Sequence, residues 1–286
     1  MGSMTANSTT TAISQQDKAL LFRSLHTPAA PLRLANVWDA VGARLVQQTG
    51  ARAIATTSAG VAWGLGSADG DLLGRDQALE LIARVAAAVE VPVTADIESG
   101  FGATAADVAE TVTGVIAAGA VGVNLEDAVY SGEFPLRPVA EQAERIAAAR
   151  AAADATGVPL YLNARIDTYL QEAGAPETRL QDTLARAAAY IAAGADGIFV
   201  PGVSDPAVIA GLAEVITAPL NISGRPGLPS FAELGRLGVA RVSLGATVAA
   251  AAYAVVRQAA RELAEDGTYT SLEGALPYGD LNELMR

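Results

Sequence analysis

One pattern repeats along this chain from Leu32 onward: a short apolar segment, a polar turn, an Ala-rich amphipathic segment and a Gly. The joint between helix and strand recurs as Gly119-Ala-Val-Gly, Gly194-Ala-Asp-Gly and Gly238-Val-Ala-Arg. Because parallel strands need a crossover between them, alternating strands and helices predict a parallel sheet. Eight such units without an evident linker predict a (β/α)8 TIM barrel, an α/β fold. The predicted strands are 33–38, 53–57, 93–97, 121–125, 160–164, 197–200, 220–222 and 241–244.

The helices expected between these strands follow the 3.6-residue spacing of their apolar positions. An N-terminal helix begins near Ser14, and a long helix at 246–265 leads to a tail at 269–286. The tail is expected to cover the barrel end or a neighbouring subunit. We expect residues 1–13 to be a disordered tail that begins with a tag remnant, and residues 14–286 to form one domain. The predicted crossover helices are 40–48, 76–89, 105–118, 139–155, 180–193, 205–215 and 230–237.

A doubly wound sheet is the competing fold. It would need a complete dinucleotide fingerprint, and Gly100-Phe-Gly102-Ala-Thr-Ala lacks the third Gly. The barrel is therefore the preferred prediction.

Composition excludes several kinds of chemistry. The chain has no Cys, one His (His26) and one Lys (Lys18), and both lie before the first predicted strand. Thiolate chemistry is excluded, and a Schiff base or a His triad is unavailable unless a neighbouring subunit supplies the residue. A formal net charge of −12 argues against nucleic acid and anionic membranes as partners. With no signal peptide or membrane-length apolar run, a cytoplasmic location is expected.

Two apolar strands end in acids, Asp96 with Glu98 and Glu126 with Asp127. On a strand, the i, i+2 spacing of Asp96 and Glu98 would put both side chains on one face. Carboxyl ends of barrel strands share one rim, where TIM-barrel active sites lie. Because clustered carboxylates repel one another, and Mg²⁺ is bound by one or two carboxylates plus substrate and water, this rim is a plausible magnesium site.

Other rim residues have alternative interpretations. Arg165 suits a substrate carboxylate or phosphonate, but it could instead be a buried partner of Glu126 or Asp96. Hydroxyls at strand ends often cap loops, and Trp residues more often pack than recognise ligands. The acids that could instead be helix N-caps are Asp39, Asp127 and Asp167.

Three motifs resemble the phosphoenolpyruvate mutase/isocitrate lyase superfamily: Asp96-Ile-Glu98-Ser-Gly-Phe-Gly, Glu126-Asp127 and Ala164-Arg165-Ile-Asp167. The resemblance covers nearly the whole chain and implies a barrel whose last helix packs on a neighbouring subunit, commonly in tetramers. It implies Mg²⁺, with Mn²⁺ as a substitute, and a metal-stabilised enolate of an oxoacid. The implied metal residues are Asp69 (or Asp71), Asp96, Glu98 and Glu126. The implied substrate-binding residues are Trp38, Ser58, Ala59, Gly60, Arg165, Asn221 and Ser223.

The chain also departs from that superfamily. Where the lyases have a Lys-Lys-Cys-Gly-His loop, residues 128–137 contain no Cys, Lys or His, and Phe199 lies on the strand where the mutase has a His. Tyr130 or Glu133 would then act as acid/base beside Arg165 and Glu126, with Arg137 as a second anion clamp. The alternative is that this segment is only a short solvated loop.

The preferred hypothesis is a Mg²⁺-dependent carbon–carbon lyase acting on a small 2-oxo or 2-hydroxy di- or tricarboxylate. One alternative is phosphorus–carbon chemistry on a phosphonopyruvate-like substrate. Another is a barrel that binds a metal–oxoacid complex without turnover. The expected partners are a carboxylate substrate and further copies of the chain, as a dimer or tetramer.

Overall fold

The computed structural model describes residues 13–130 and 135–286. Its strands are all parallel and form one sheet in the order β1-β9-β8-β7-β6-β5-β4-β3-β2. The two outermost strands of that order, β1 and β2, are consecutive pieces of one segment separated only by Ala35. The sheet therefore closes on itself, and the predicted (β/α)8 TIM barrel is confirmed.

The elements agree closely with the predicted strands and crossover helices. The strands are β1 (Leu32–Leu34), β2 (Asn36–Val37), β3 (Ile54–Thr56), β4 (Val93–Asp96), β5 (Gly122–Glu126), β6 (Tyr161–Arg165), β7 (Gly197–Val200), β8 (Leu220–Ser223) and β9 (Arg241–Ser243). The helices are α1 (Gln15–Ser24), α2 (Ala40–Gln48), α3 (Ser58–Gly64), α4 (Arg75–Ala88), α5 (Ala105–Ala117), α6 (Val139–Thr156), α7 (Pro176–Ala192), α8 (Pro206–Val215), α9 (Phe231–Arg236), α10 (Thr247–Glu265) and α11 (Tyr278–Leu284).

Two local features differ from the prediction. No helix was predicted directly after β3, but the chain forms the short helix α3 there, whose N-cap Thr57 makes no side-chain capping bond. Without a capping bond or a long apolar period, nothing local indicated this helix. The strand predicted to reach Ile97 ends instead at Asp96.

The inside of the barrel is polar. Asn163 donates hydrogen bonds from Nδ2 to Asn124 Oδ1 at 2.9 Å and to Asn221 Oδ1 at 3.2 Å. Arg241, which is fully buried, donates from Nη2 to Asn124 at 3.2 Å. The apolar core therefore lies mainly between the sheet and its surrounding helices, while the barrel axis is held by hydrogen bonds.

The N-terminal helix α1 covers the end of the barrel at which the strands begin. Phe22 and His26, from and just after α1, meet the ring of Tyr161, the first residue of β6. His26 stacks on Tyr161 with ring centroids 3.9 Å apart. The opposite end, where the strands finish, is left for the predicted site.

The long C-terminal helix α10 is mostly exposed. Ala249 is its one buried residue in the described structure, whereas Val256 and Leu263 are 63% and 64% exposed. No helix in the described ranges is long and apolar enough to cross a membrane.

Candidate functional site

The carboxylate of Asp96 ends β4 with one oxygen satisfied and one free. Oδ2 accepts hydrogen bonds from the backbone N–H of Ser58 at 3.2 Å and from its hydroxyl at 3.0 Å. Oδ1 is buried and has no hydrogen-bond partner among the described residues. An unpaired buried carboxylate oxygen is costly, which makes it a natural ligand for a cation.

Asp69, in the loop between α3 and α4, lies beside this carboxylate. Burial raises the pKa of Asp69, and the negative charge of Asp96 raises it further, while Ser58 and Arg165 act in the opposite direction. A cation beside both carboxylates would stabilise the charged form of Asp69. Asp71, the alternative candidate, instead accepts hydrogen bonds from Ser99.

Glu98 does not share a strand face with Asp96, because β4 ends before it. Its φ of 51° lies in the left-handed region, and the strand-based prediction of a common face was wrong. Its Oε2 accepts hydrogen bonds from the backbone N–H groups of Gly70, at 2.9 Å, and Asp71. Burial raises the pKa of Glu98 to about 7.

Glu126, at the end of β5, is buried and already has partners. Arg165 Nη1 lies 2.5 Å from its Oε2, and the Tyr130 hydroxyl donates to its Oε1. Burial raises the pKa of Glu126, and the Arg165 charge works against that rise. Arg165, which is itself partly exposed, is thus an ion-pair partner of the buried Glu126, close to one interpretation of the sequence.

Arg165 is held from a second side by Asp167. Its Nε and Nη2 donate to the two carboxylate oxygens at 2.6 and 2.8 Å, a bidentate pair. Asp167 is therefore an ion-pair partner and does not cap a helix. A guanidinium has five N–H donors, and the hydrogen bonds to Asp167 use two of them, so other N–H groups remain for a substrate carboxylate.

Asp127 is part of a separate buried network. Its Oδ2 accepts from Arg186 Nη1 at 3.0 Å and from the Tyr190 hydroxyl at 2.8 Å. Its Oδ1 accepts from the backbone N–H of Asp167 at 2.9 Å. Asp127 is not an N-cap, whereas Asp39 does cap α2, as the alternative interpretation predicted.

The segment after β5 places one predicted acid/base near the site. The Tyr130 ring contacts Gly70, and burial and the Glu126 charge raise the pKa of its hydroxyl far above the usual value. A tyrosine in this state keeps its proton at neutral pH and serves as a hydrogen-bond donor.

Arg137, the predicted second anion clamp, has partners within the described residues. Arg137 pairs with Glu141 at 2.8 Å and reaches toward Ser99, so the helix that follows already holds its guanidinium. Glu133 lies outside the described residues.

The remaining predicted substrate residues lie on separate sides of the rim. Ala59 and Gly60 belong to the first turn of α3, whose N–H groups lack intrahelical partners. Trp38 lies beside Gly60, and its ring centroid is 6.5 Å from that of Tyr253 on α10.

Two polar residues come from β8, across the rim from α3. Asn221 is buried and donates hydrogen bonds within the barrel, one of them to the Ser243 hydroxyl at 3.2 Å. Ser223 is the last residue of β8.

Sequence reasoning missed two buried arginines that support the site. Arg145 donates to three backbone oxygens of residues 99–103 and so holds the turn after Glu98. Arg186 neutralises Asp127. Each arginine lies on the buried stripe of its helix, α6 or α7, and a cation within an apolar stripe was the signal available.

The donor set fits a hard divalent cation. In the described ranges no three His, Cys, Asp or Glu side chains are arranged to hold a metal ion by themselves. Mg²⁺ usually takes only one or two carboxylates, and waters and substrate complete its octahedron. Asp96, with its free Oδ1, and the adjacent Asp69 provide such a pair.

Comparison with known proteins identifies the family. The family model for phosphoenolpyruvate phosphomutase matches residues 22–264. The chain belongs to this family, and the resemblance noted in the sequence is confirmed.

This member of the phosphoenolpyruvate phosphomutase family is similar to the following three proteins. The 2-methylisocitrate lyase of Escherichia coli K12 is 32% identical over 217 residues, 73% of this chain and 71% of that enzyme. A structure from Burkholderia cenocepacia J2315, provisionally assigned as a lyase/mutase, is 42% identical with a TM-score of 0.88. The match covers 94% of this chain and 96% of that structure. Phosphonopyruvate hydrolase, solved with oxalate and Mg²⁺, is 26% identical with a TM-score of 0.81. The match covers 93% of this chain and 94% of that structure.

Proposed function

We propose that this protein is a Mg²⁺-dependent lyase that cleaves or forms a C–C bond in a small 2-oxo or 2-hydroxy di- or tricarboxylate. The observation that carries the proposal is the buried, unpartnered Oδ1 of Asp96 beside Asp69 and within the field of Arg165. A cation site next to a guanidinium with free donors suits a substrate that offers both a chelating oxygen pair and a carboxylate. The lyase relative supports carbon–carbon chemistry on such an acid.

Asp96 and Asp69 would hold the metal, with Glu126 reaching it through water. When bound, Mg²⁺ would supply the Lewis acid that stabilises an enolate oxygen. Mn²⁺ would serve similarly, because it accepts the same oxygen ligands.

The substrate would be bound and oriented by the chain itself. N–H groups of Arg165 that do not bond to Asp167 would bind its carboxylate, and the amides of Ala59 and Gly60 would bind an oxygen at the first turn of α3. Trp38 would close one side of the site.

A second carboxylate of the substrate would meet β8. Asn221 and Ser223 would reach it, although Asn221 must then exchange its bond to Ser243. A substrate with a single carboxylate would leave that bond in place.

Tyr130 is the proposed proton donor. Its hydroxyl is protonated at neutral pH and donates to Glu126, while its ring lies against Gly70. Proton transfer by a positioned group contributes about 10²–10⁴-fold to a rate. Glu133, which lies outside the described residues, is not needed for this step.

A substrate panel tests the proposal. Purified protein with Mg²⁺ is incubated with oxaloacetate, alkylmalates, methylisocitrate and phosphonopyruvate, and release of pyruvate or glyoxylate is followed. We expect turnover of one of the compounds other than phosphonopyruvate. This activity should be lost when EDTA is added and in the Asp96→Asn variant. Turnover of phosphonopyruvate alone would establish the phosphorus–carbon alternative instead. No turnover, with tight Mg²⁺-dependent binding of oxalate, would establish a binding barrel.

The role of Tyr130 has its own test. Tyr130→Phe should lower the turnover number by about 10²-fold or more while leaving oxalate binding within a few-fold. An unchanged turnover number would remove Tyr130 from the reaction.

The chain is also proposed to form a homo-oligomer through α10. The apolar side chains of Tyr253, Val256 and Leu263 are exposed on this helix, and a second copy would cover them. Light scattering should show a dimer or tetramer that Val256→Asp weakens. A monomeric wild-type protein would contradict this assembly.

A further inference from the structure

The carboxylate of Glu98 is directed at the backbone of another loop. Two successive N–H groups, from Gly70 and Asp71, both donate to its Oε2. The φ angles of Gly70 and Asp71 are 104° and 58°, so the backbone turns both N–H groups toward one point. Successive amides in such a turn form an anion-binding nest, and here the anion is a side chain of the protein itself.

The contact is reciprocal. Asp71 Oδ1 accepts from the backbone N–H of Ser99 at 3.2 Å, and its Oδ2 accepts from the Ser99 hydroxyl. Residues 70–71 and 98–99 are therefore joined by four hydrogen bonds, which we call the clasp. Asp71 and Glu98 both have positive φ angles, which residues other than Gly rarely adopt without such support.

The clasp adjoins Asp69. Asp69 immediately precedes Gly70, and its carboxylate neighbours Ser58 and Asp96. Movement of Asp69 together with its loop would break the hydrogen bonds from Gly70 and Asp71 to Glu98. A side chain one methylene shorter at position 98 would not reach the amides in the same backbone position.

We propose that Glu98 is a positioning residue that anchors the Asp69 loop, and that it affects the metal through Asp69 and not as a ligand. This inference rests on the proposed function for the metal, but the clasp itself does not.

Two substitutions at this position give opposite results under the two roles. Glu98→Gln keeps an oxygen acceptor at the same reach, so a positioning role predicts Mg²⁺ affinity within about 3-fold of wild type. Glu98→Asp keeps the charge but shortens the arm, so affinity should fall about 10-fold or more, as it does when outer partners of a metal ligand are lost. A ligand role predicts the reverse order, and observing that order in calorimetric titrations would overturn the proposal.

Amide hydrogen exchange in the metal-free protein gives an independent readout. Glu98→Asp should speed exchange at residues 70 and 71, and Glu98→Gln should change it much less. Ser99→Ala, which removes one clasp bond without altering an acid, should speed it too and serves if Glu98→Asp fails to fold. Unchanged exchange in both variants would overturn the proposal. If wild-type protein bound no Mg²⁺, the proposed function would fail while this exchange test still decided the clasp.

Discussion

The neighbouring strands β4 and β5 both end in acids, but the partners of those acids differ. At the end of β4, the carboxylate of Asp96 accepts hydrogen bonds only from Ser58 among the described residues and keeps one oxygen free. At the end of β5, Glu126 and Asp127 are each paired with an arginine and a tyrosine. Similar sequence patterns thus produce one strand end with a free carboxylate oxygen and another whose two acids are paired with arginines.

The difference shows that a strand-end acid gains its role from what faces it. Arg165 and Arg186 come from β6 and α7, and no corresponding arginine forms an ion pair with Asp96 in the described residues. Buried charges without partners are unfavourable, so the acids without arginines are the ones that a metal would stabilise.

The largest expected effect is on stability, at the end of β5, where the acids are paired with arginines. Arg186→Met leaves Asp127 buried without its cation and should lower the free energy of unfolding by about 3–5 kcal/mol in urea denaturation. The matched control is Arg84→Met, whose ion pair with Glu80 is exposed and should contribute less than about 1 kcal/mol. Equal losses in the two variants would contradict the assignment of Asp127 to a buried structural pair.

The next largest expected effect is on Mg²⁺ affinity, at the end of β4. Asp96→Asn should weaken Mg²⁺ binding at least about 100-fold, equivalent to about 2.7 kcal/mol, because losing a ligand exceeds the loss of an outer partner. Its free energy of unfolding should change little, because no arginine is left unpaired. Asp107→Asn, at an exposed helix cap, is the control for calorimetric titrations. Unchanged affinity in Asp96→Asn would remove this residue from the metal site.

Acid-dependent stability should arise away from both strand ends, at His26. Burial, with the nearby Arg241 charge, lowers the pKa of His26 to about 3. Between about pH 6.5 and 3 the unfolded chain binds a proton that the folded protein excludes, so stability falls as the pH falls, by up to about 1.4 kcal/mol per pH unit. The raised pKa values of Glu98 and Asp127 act in the opposite direction.

The measurement is the difference between wild type and His26→Gln in urea denaturation at pH 7 and pH 5. We expect wild type to lose up to about 2 kcal/mol of stability relative to the variant over this interval. A difference that does not depend on pH would place the protonation elsewhere.

Much of the fold could be predicted because its signals are local. The apolar period and the glycines after the helices located all eight barrel strands, and helix α2 was predicted at its observed bounds. The acids at the rim were also visible, since each directly follows an apolar run. Local patterns could not show which acid meets which arginine.

What the sequence did not reveal depends on contacts between distant residues. Asp127 and Arg186 are 59 positions apart, and Gly70 and Glu98 are 28 apart. The turn at Glu98 is held by its hydrogen bond from Gly70 and by Arg145, which bonds to the backbone of Ser99. Local sequence does not show these contacts, so a strand was predicted where the chain bends. A buried arginine within an apolar helix stripe is the feature that would have improved the prediction.

The smallest expected effect compares the two tyrosines at the β5 end. Tyr190 is fully buried against Asp127, whereas Tyr130 is 44% exposed beside Glu126. Tyr190→Phe should lower the free energy of unfolding by about 1 kcal/mol, because it leaves a buried carboxylate oxygen with one donor fewer. Tyr130→Phe should lower it less, because the Tyr130 side chain is partly exposed and Glu126 keeps its ion pair with Arg165. If urea denaturation gave the reverse order, the bond from Tyr130 would be part of the structural network and not of the open side of the site.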